Sequence, residues 1–102
     1  MSKMEGIGAT KYHDGNEYTG GWRTDLPSGQ GVLKDKEGNI LFKGNWIRGI
    51  GYVGAINRAG LPYGKGIGTY QNGARYEGNW VNGAREGMGM LTESDGRKYV
   101  DV

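Results

Sequence analysis

The side chains that could perform acid–base, metal or nucleophilic chemistry are few in this sequence and do not form sets. The single histidine, His13, precedes an Asp-Gly pair, and no cysteine is present as a second ligand or as a nucleophile. Metal binding and acid–base catalysis both require several convergent groups. We therefore predict that His13 is a solvated turn residue, and we expect no catalytic site, no metal site and no cofactor.

Short glycine motifs occur as well, but they lack the surroundings of a nucleotide site. Gly64-Lys65-Gly66 lacks the Walker spacing, the Ser or Thr after the lysine and a following helix. Gly6-Ile7-Gly8 and Gly66-Ile67-Gly68 are too short for a dinucleotide fingerprint. No phosphate or dinucleotide site is predicted from these glycines.

Hydrolase chemistry is not supported either. The serines, at 2, 28 and 94, lie at the terminus or in turn-rich segments, and none has the glycine spacing of a nucleophile elbow. Four acidic residues recur in turn-rich segments, where turn chemistry explains them better than a glycosidase pair does: Asp14, Glu37, Glu86 and Asp95. The chain is not expected to be an enzyme.

Aromatic rings are the remaining functional groups, and they recur with glycine in a fixed pattern. Four blocks read aromatic, any residue, glycine, any residue, large apolar residue: 18–22, 42–46, 52–56 and 76–80. The block starts are 24, 10 and 24 residues apart, so the second unit is truncated. Glycine-x-glycine pairs at 6, 29, 64 and 87 are each followed by a turn glycine 7 residues after the second glycine. Such regular spacing predicts a repeat protein.

Each unit has the pattern of a β-hairpin. Block positions two apart share one face of a strand, and Asp-Gly or Asn-Gly pairs are typical of tight hairpin turns. Glycine between two rings on one face is expected to leave room for neighbouring rings. The predicted strands are 4–12, 16–22, 29–36, 39–46, 50–56, 63–70, 75–80, 87–93 and 97–101, with almost no helix.

Composition limits the class of protein. The 102 residues include 22 glycines, but the 2 prolines and the irregular glycine period exclude collagen, and 11% aromatic residues favour a folded domain over disorder. The net charge of +2 comes from interspersed basic and acidic residues, so nucleic acid is not an expected partner. Without cysteine, a signal-like start or a long apolar run, the chain is predicted to be soluble and cytoplasmic.

The segment Tyr76-Glu-Gly-Asn-Trp80-Val-Asn-Gly83-Ala-Arg-Glu-Gly87-Met-Gly89 resembles a MORN repeat (membrane occupation and recognition nexus). Ile56 replaces the tryptophan of the pattern, and the second block stops at Gly49. We assign one domain, 4–101, with a half-unit 4–17, a repeat 18–41, a truncated repeat 42–51, repeats 52–75 and 76–98, and a terminal strand 99–102. The resemblance implies an elongated, twisted, single-layer antiparallel sheet with an open groove, used for protein binding, dimerisation or scaffolding, without catalytic residues.

The aromatic residues are expected to lie on one face of this sheet. They could simply form the core, or, because a single-layer sheet has no covering layer, they could remain partly open and bind a partner. Our leading hypothesis is a non-catalytic protein-interaction module, an adaptor, scaffold or inhibitor, that binds a segment of a partner protein. The predicted partner-binding residues are Tyr18, Trp22, Phe42, Trp46, Tyr52, Tyr70, Tyr76 and Trp80.

Two other functions stay open from the sequence. Peripheral binding to phosphoinositide membranes is one, although dispersed charges argue against it. Edge-to-edge structural assembly, or a homodimer, is the other, because strands 4–12 and 97–102 would have open edges. The irregular segment 47–62 is where we expect any specialisation of this protein.

Overall fold

The computed structural model describes residues 5–101 as nine β-strands without a helix. The strands are Gly6–Lys11 (β1), Glu17–Arg23 (β2), Leu26–Lys34 (β3), Ile40–Ile47 (β4), Ile50–Ile56 (β5), Pro62–Thr69 (β6), Arg75–Val81 (β7), Ala84–Thr92 (β8) and Lys98–Asp101 (β9). The predicted all-β fold is confirmed. Strands β3 and β8 begin three residues earlier than predicted, because two-residue turns at 24–25 and 82–83 replace the longer connections that were expected.

All nine strands belong to one antiparallel sheet in the order β1-β2-β3-β4-β5-β6-β7-β8-β9. The predicted turn glycines Gly15, Gly38, Gly73 and Gly96 adopt φ values of 92°, 89°, 90° and 93°. Each donates its N–H to the carbonyl three residues earlier, as Gly15 does to Tyr12 at 2.9 Å. Glycine suits these positions because left-handed backbone is unfavourable for other residues.

The sheet divides between β4 and β5. These strands share two residue pairs, Trp46↔Gly51 and Ile47↔Ile50, whereas β3 and β4 are paired from Gly29↔Trp46 to Lys34↔Ile40. We call β1–β4 the first half-sheet and β5–β9 the second half-sheet. The division falls where the sequence lacks part of a repeat.

The aromatic residues change face at this division. Directly paired residues point to the same face of a sheet, so Trp46 and Gly51 share one face, which we call the front. Tyr52 follows Gly51 and therefore points to the back, together with Ile47 and Ile50, which pack against its aromatic cluster. The prediction of one aromatic face is wrong. Because β4 is followed directly by another aromatic strand, one strand is missing and the face is inverted.

The two half-sheets also fold against each other. In the turn that precedes β7, the Gln71 carbonyl accepts a hydrogen bond from Asn16 Nδ2 at 3.1 Å, and Gln71 Nε2 donates to the Gly49 carbonyl at 3.3 Å. Asn16 is buried there. The extents of 36 × 33 × 23 Å and the radius of gyration of 13.5 Å are those of a compact domain. The elongation that the resemblance implied does not develop in this chain.

Candidate functional site

The predicted partner-binding residues form two aromatic clusters on opposite faces. The front cluster contains Tyr18, Trp22, Leu33 and Trp46, with Phe42 against it, and the back cluster contains Tyr52, Tyr76 and Trp80, with Tyr70 against it. Neighbouring rings meet edge to face, with centroids 5.0 Å apart for Tyr18 and Trp46 and 5.3 Å apart for Tyr76 and Trp80. This geometry is favourable for aromatic pairs.

Each tryptophan is tied to the hairpin that precedes it. The indole Nε1 of Trp22 donates to the Gly8 carbonyl at 3.0 Å, that of Trp46 to Gly31 at 3.1 Å, and that of Trp80 to Gly66 at 3.1 Å. The acceptor is in every case the second glycine of a glycine-x-glycine pair. One hydrogen bond thus links successive repeats in both half-sheets.

Each block tyrosine covers a glycine of the following strand. A Cβ atom at Gly31, Gly66 or Gly89 would overlap the ring of Tyr18, Tyr52 or Tyr76. The three hydroxyls donate to the carbonyls of Gly21, Ala55 and Asn79 at 2.9, 2.6 and 3.3 Å. Burial raises the pKa of Tyr18, an effect that its hydrogen bond to Gly21 partly offsets, and burial raises the pKa of Tyr52 as well. The periodic glycines are therefore needed for close packing, as the sequence predicted.

These contacts leave little aromatic surface for a partner. Six of the eight predicted residues are buried, from 0% exposure at Tyr18 and Tyr76 to 7% at Trp22. The expectation that the aromatic face stays open is wrong for these six, because rings from adjoining hairpins cover one another. Phe42 and Tyr70 are half-buried, and the Arg85 guanidinium lies 5.8 Å from the centroid of the Tyr70 ring.

Comparison with known families agrees with this repeating architecture. The family model of the MORN repeat matches residues 18–40 and 76–96, one match in each half-sheet. Both segments are MORN repeats. It is also 35% identical over 49 residues to the inactive protein tyrosine kinase pTKL of Plasmodium berghei (strain Anka). That match covers 48% of this chain but 4% of the relative, so the MORN-repeat chain corresponds to a small part of that protein.

An accessible surface that spans several strands lies on the front of the second half-sheet. Its residues are paired directly from strand to strand and form one row across β5 to β9: Val53, Ile67, Glu77, Met90 and Val100. Val53 is 59% exposed and Val100 is 60% exposed, while Ile67 is half-buried. We call the four apolar members, Val53, Ile67, Met90 and Val100, the apolar row.

A groove of about 430 Å³ lies along part of this row, beside Val53, Ile67 and Glu77. Its floor is formed by the glycine backbone at 54, 66, 78 and 89, and its walls include Met88, Lys65 and Asn79. Met88 is 65% exposed. The groove therefore combines flexible apolar side chains with a few polar groups, which is typical of binding grooves.

The matching row of the first half-sheet is more polar. It lies on the back face and consists of Ala9, Thr19, Val32 and Lys43 in direct register. Neither row is among the residues predicted from the sequence, because the periodic pattern is strongest at the aromatic positions. The signal was present, however, since row residues immediately follow the block aromatic or the glycine-x-glycine pair.

The histidine and the short glycine motif that the sequence analysis considered lie in a turn and in a strand. His13 is exposed in the turn between β1 and β2, and Gly64, Lys65 and Gly66 lie within strand β6 instead of a loop. Within residues 5–101 no three His, Cys, Asp or Glu side chains are grouped so that they could hold a metal ion. No helix of this part of the chain is long and apolar enough to cross a membrane.

Proposed function

We propose that this MORN-repeat chain is a non-catalytic protein-binding module that contacts a partner protein through the apolar row and its groove. The observation that supports the proposal is an in-register row of exposed or half-buried aliphatic and methionine side chains, interrupted by Glu77, on an uncovered sheet face. Exposed apolar surface beside polar residues is characteristic of interaction sites. Such a module would act as an adaptor, scaffold or inhibitor, and we propose the cytoplasm as its compartment.

The groove favours a protein segment over other ligands. Its glycine floor lets a partner approach the sheet backbone closely, and Met88 can adapt to different side chains. Lys65 and Glu77 place one charge of each sign beside the row, so neither a polyanion nor a polycation is favoured. Support for a non-enzymatic role comes from the relative, whose printed name describes an inactive kinase.

The proposal can be tested with peptides selected from a random library on the immobilised full chain. We expect selected peptides to shift the amide resonances of β5, β6 and β8 in ¹⁵N-labelled protein. The double variant Val53→Lys/Met90→Lys should weaken peptide binding by about tenfold or more, as for central interface residues. The matched variant Thr19→Lys/Val32→Lys changes the corresponding row of the first half-sheet and should bind normally. Equal affinity for both variants, with circular dichroism unchanged, contradicts the proposal.

Edge-to-edge assembly is a second candidate because the apolar row continues onto an edge strand. On β9, Tyr99 is 47% exposed and Val100 is 60% exposed, and β9 pairs with β8 alone among the described strands. Open edges of this kind can pair with another chain. Sedimentation velocity should then show a mass that increases with concentration and falls in Val100→Lys, whereas a constant monomer mass rejects assembly.

A further inference from the structure

A cleft of about 730 Å³ lies where the two half-sheets meet. It is bounded by the turn between β2 and β3, by the end of β4 and its turn, and by the loop before β6. These three segments converge at the division between the half-sheets, where β4 and β5 share two residue pairs. The cleft is therefore a feature of the shortened repeat, and its size is within the usual range of ligand sites, about 300–1,000 Å³.

The cleft has a local excess of positive charge. Arg23 and Arg48 line it, and none of the residues that line it is acidic. Neither arginine is ion-paired within the part of the chain that the structure describes. Two carboxylates lie close to the lining: Asp25 is in the same turn as Thr24 and Leu26, and Glu5 accepts a hydrogen bond from the backbone N–H of Thr24 at 3.2 Å. Arg48 has a φ of 49° in the two-residue turn between β4 and β5.

Apolar side chains lie between these charges. Leu26 is 40% exposed, and Ile47 and Leu61 are half-buried in the same cleft. A complementary ligand must therefore combine an anionic group with an adjoining apolar group. Planar guanidinium groups pair well with carboxylates, because each can donate two parallel hydrogen bonds.

We infer that this junction cleft binds an acidic segment of a protein partner, in which a carboxylate contacts Arg23 and Arg48 and a neighbouring aliphatic side chain contacts Leu26 and Leu61. An extended segment of four residues, roughly 13 Å long, is enough to present both groups. A phosphoinositide headgroup would leave the apolar wall uncovered, and two arginines are fewer than the cluster of cations that membrane recruitment uses. The inference shares with the proposed function the premise of protein binding, but it uses a different surface.

The test uses the full ¹⁵N-labelled chain and two synthetic tetrapeptides. Acetyl-Glu-Leu-Glu-Leu-amide is the acidic probe, and acetyl-Gln-Leu-Gln-Leu-amide is its neutral match. We expect the acidic peptide to shift the amide resonances of Arg23, Asn45 and Arg48 and to bind at least about fivefold more tightly than the neutral peptide. Raising the salt concentration from 0.05 M to 0.5 M should reduce this difference, because exposed charges are screened.

Three variants distinguish binding in the cleft from the effect of net charge and from binding at the apolar row. Arg23→Gln/Arg48→Asn should remove the preference for the acidic peptide, and asparagine keeps a residue that tolerates the conformation of the turn. Arg75→Gln/Lys98→Gln removes the same net charge outside the cleft and should retain the preference. Ile67→Lys should also retain it, so loss of library-peptide binding in that variant bears on the proposed function alone.

Three results overturn the inference. The first is equal affinity for the two tetrapeptides. The second is that the acidic peptide, but not the neutral peptide, shifts resonances of residues outside the cleft. The third is arginine-dependent recruitment to phosphatidylcholine vesicles containing phosphatidylinositol bisphosphate without binding of the acidic peptide. In each case the apolar row can still bind its library peptides, so failure of the cleft and failure of the proposed function remain distinguishable.

Discussion

The two half-sheets use the same packing and differ in the face on which they place it. In both, a tryptophan indole donates to a glycine carbonyl of the preceding hairpin, as Trp46 does to Gly31 and Trp80 does to Gly66. The front cluster and the back cluster nevertheless lie on opposite sides of one continuous sheet. A full repeat adds two strands and keeps the face, whereas here β5 follows β4 directly and the register Trp46↔Gly51 places Tyr52 on the other face.

The inversion also determines what each face exposes. On the front, the aromatic cluster of the first half-sheet is followed by the apolar row of the second half-sheet. On the back, the matching row of the first half-sheet, which includes Thr19 and Lys43, is followed by the back cluster. The chain thus presents two unlike surfaces, although its repeats are alike in sequence.

Restoring the missing strand should produce the largest change. If Ile50 and Gly51 are replaced by a copy of residues 84–98, the spacing between aromatic blocks becomes regular and Tyr52 should return to the front face. The half-sheets should then no longer dock through Gln71, and the radius of gyration should rise above 13.5 Å in small-angle X-ray scattering. A glycine-serine segment of equal length inserted at Gly38 leaves the strand number unchanged and serves as the control. An unchanged radius after strand restoration would contradict the conclusion that the missing strand inverts the aromatic face.

Removal of one tryptophan from each cluster tests whether the two cores are equivalent. Trp46→Ala and Trp80→Ala should each lower the free energy of unfolding by about 3–5 kcal/mol, because both side chains are almost fully buried. The milder pair Trp46→Phe and Trp80→Phe should be additive within about 0.5 kcal/mol, since the clusters share no residue.

Urea unfolding followed by circular dichroism measures these losses. Tyr76→Phe combined with Trp80→Phe is the comparison within one cluster, where the rings are 5.3 Å apart and should be coupled. Strong coupling between Trp46 and Trp80 would show that the two cores are not independent.

The glycines beneath the tyrosines should be equally sensitive in both half-sheets. Gly31→Ala and Gly66→Ala each place a Cβ against a tyrosine ring and should destabilise the fold by about 1–3 kcal/mol through overpacking. Gly38→Asn is the control, since its surroundings are open and asparagine tolerates a positive φ. Thermal melts that left Gly31→Ala or Gly66→Ala as stable as the control would contradict the close ring-to-glycine contact.

The smallest expected difference between the half-sheets is in the loss of folding stability at alkaline pH. Burial, with smaller contributions from Tyr18 and Asp14, raises the pKa of Tyr12 to about 12, and its buried hydroxyl has no hydrogen-bond partner among the described residues. Because the folded pKa exceeds the unfolded value of about 10, the associated stability is complete below pH 10 and is lost as the pH rises towards 12.

Tyr12→Phe should therefore reduce the loss of stability between pH 9 and 11.5, measured as the urea midpoint. At pH 7 the variant should be as stable as the wild type or up to about 1 kcal/mol more stable, because an unsatisfied buried hydroxyl is removed. Tyr52→Phe is the counterpart in the second half-sheet, and there loss of the hydrogen bond to the Ala55 carbonyl should reduce stability at pH 7. A destabilised Tyr12→Phe would mean that its hydroxyl has a partner after all.

Local patterns predicted much of the fold. The turn glycines and the period-two blocks identified the hairpins, because turn conformation and strand alternation depend on neighbouring residues. The site was predicted less well. The face of Tyr52 follows from its register across the turn at 48–49, and the burial of Trp80 follows from rings of adjoining hairpins, neither of which adjacent residues encode.

By itself, the sequence determined that this chain forms consecutive β-hairpins, where they turn, and that glycine must lie beneath each block tyrosine. Those features arise from backbone conformation and short-range sterics. Only the tertiary structure decided that the aromatic residues divide between two faces, that they are buried, and that the apolar row and the junction cleft are accessible. These properties depend on strand number, register and the docking of distant turns such as those of Asn16 and Gln71, which accumulate over the whole sheet.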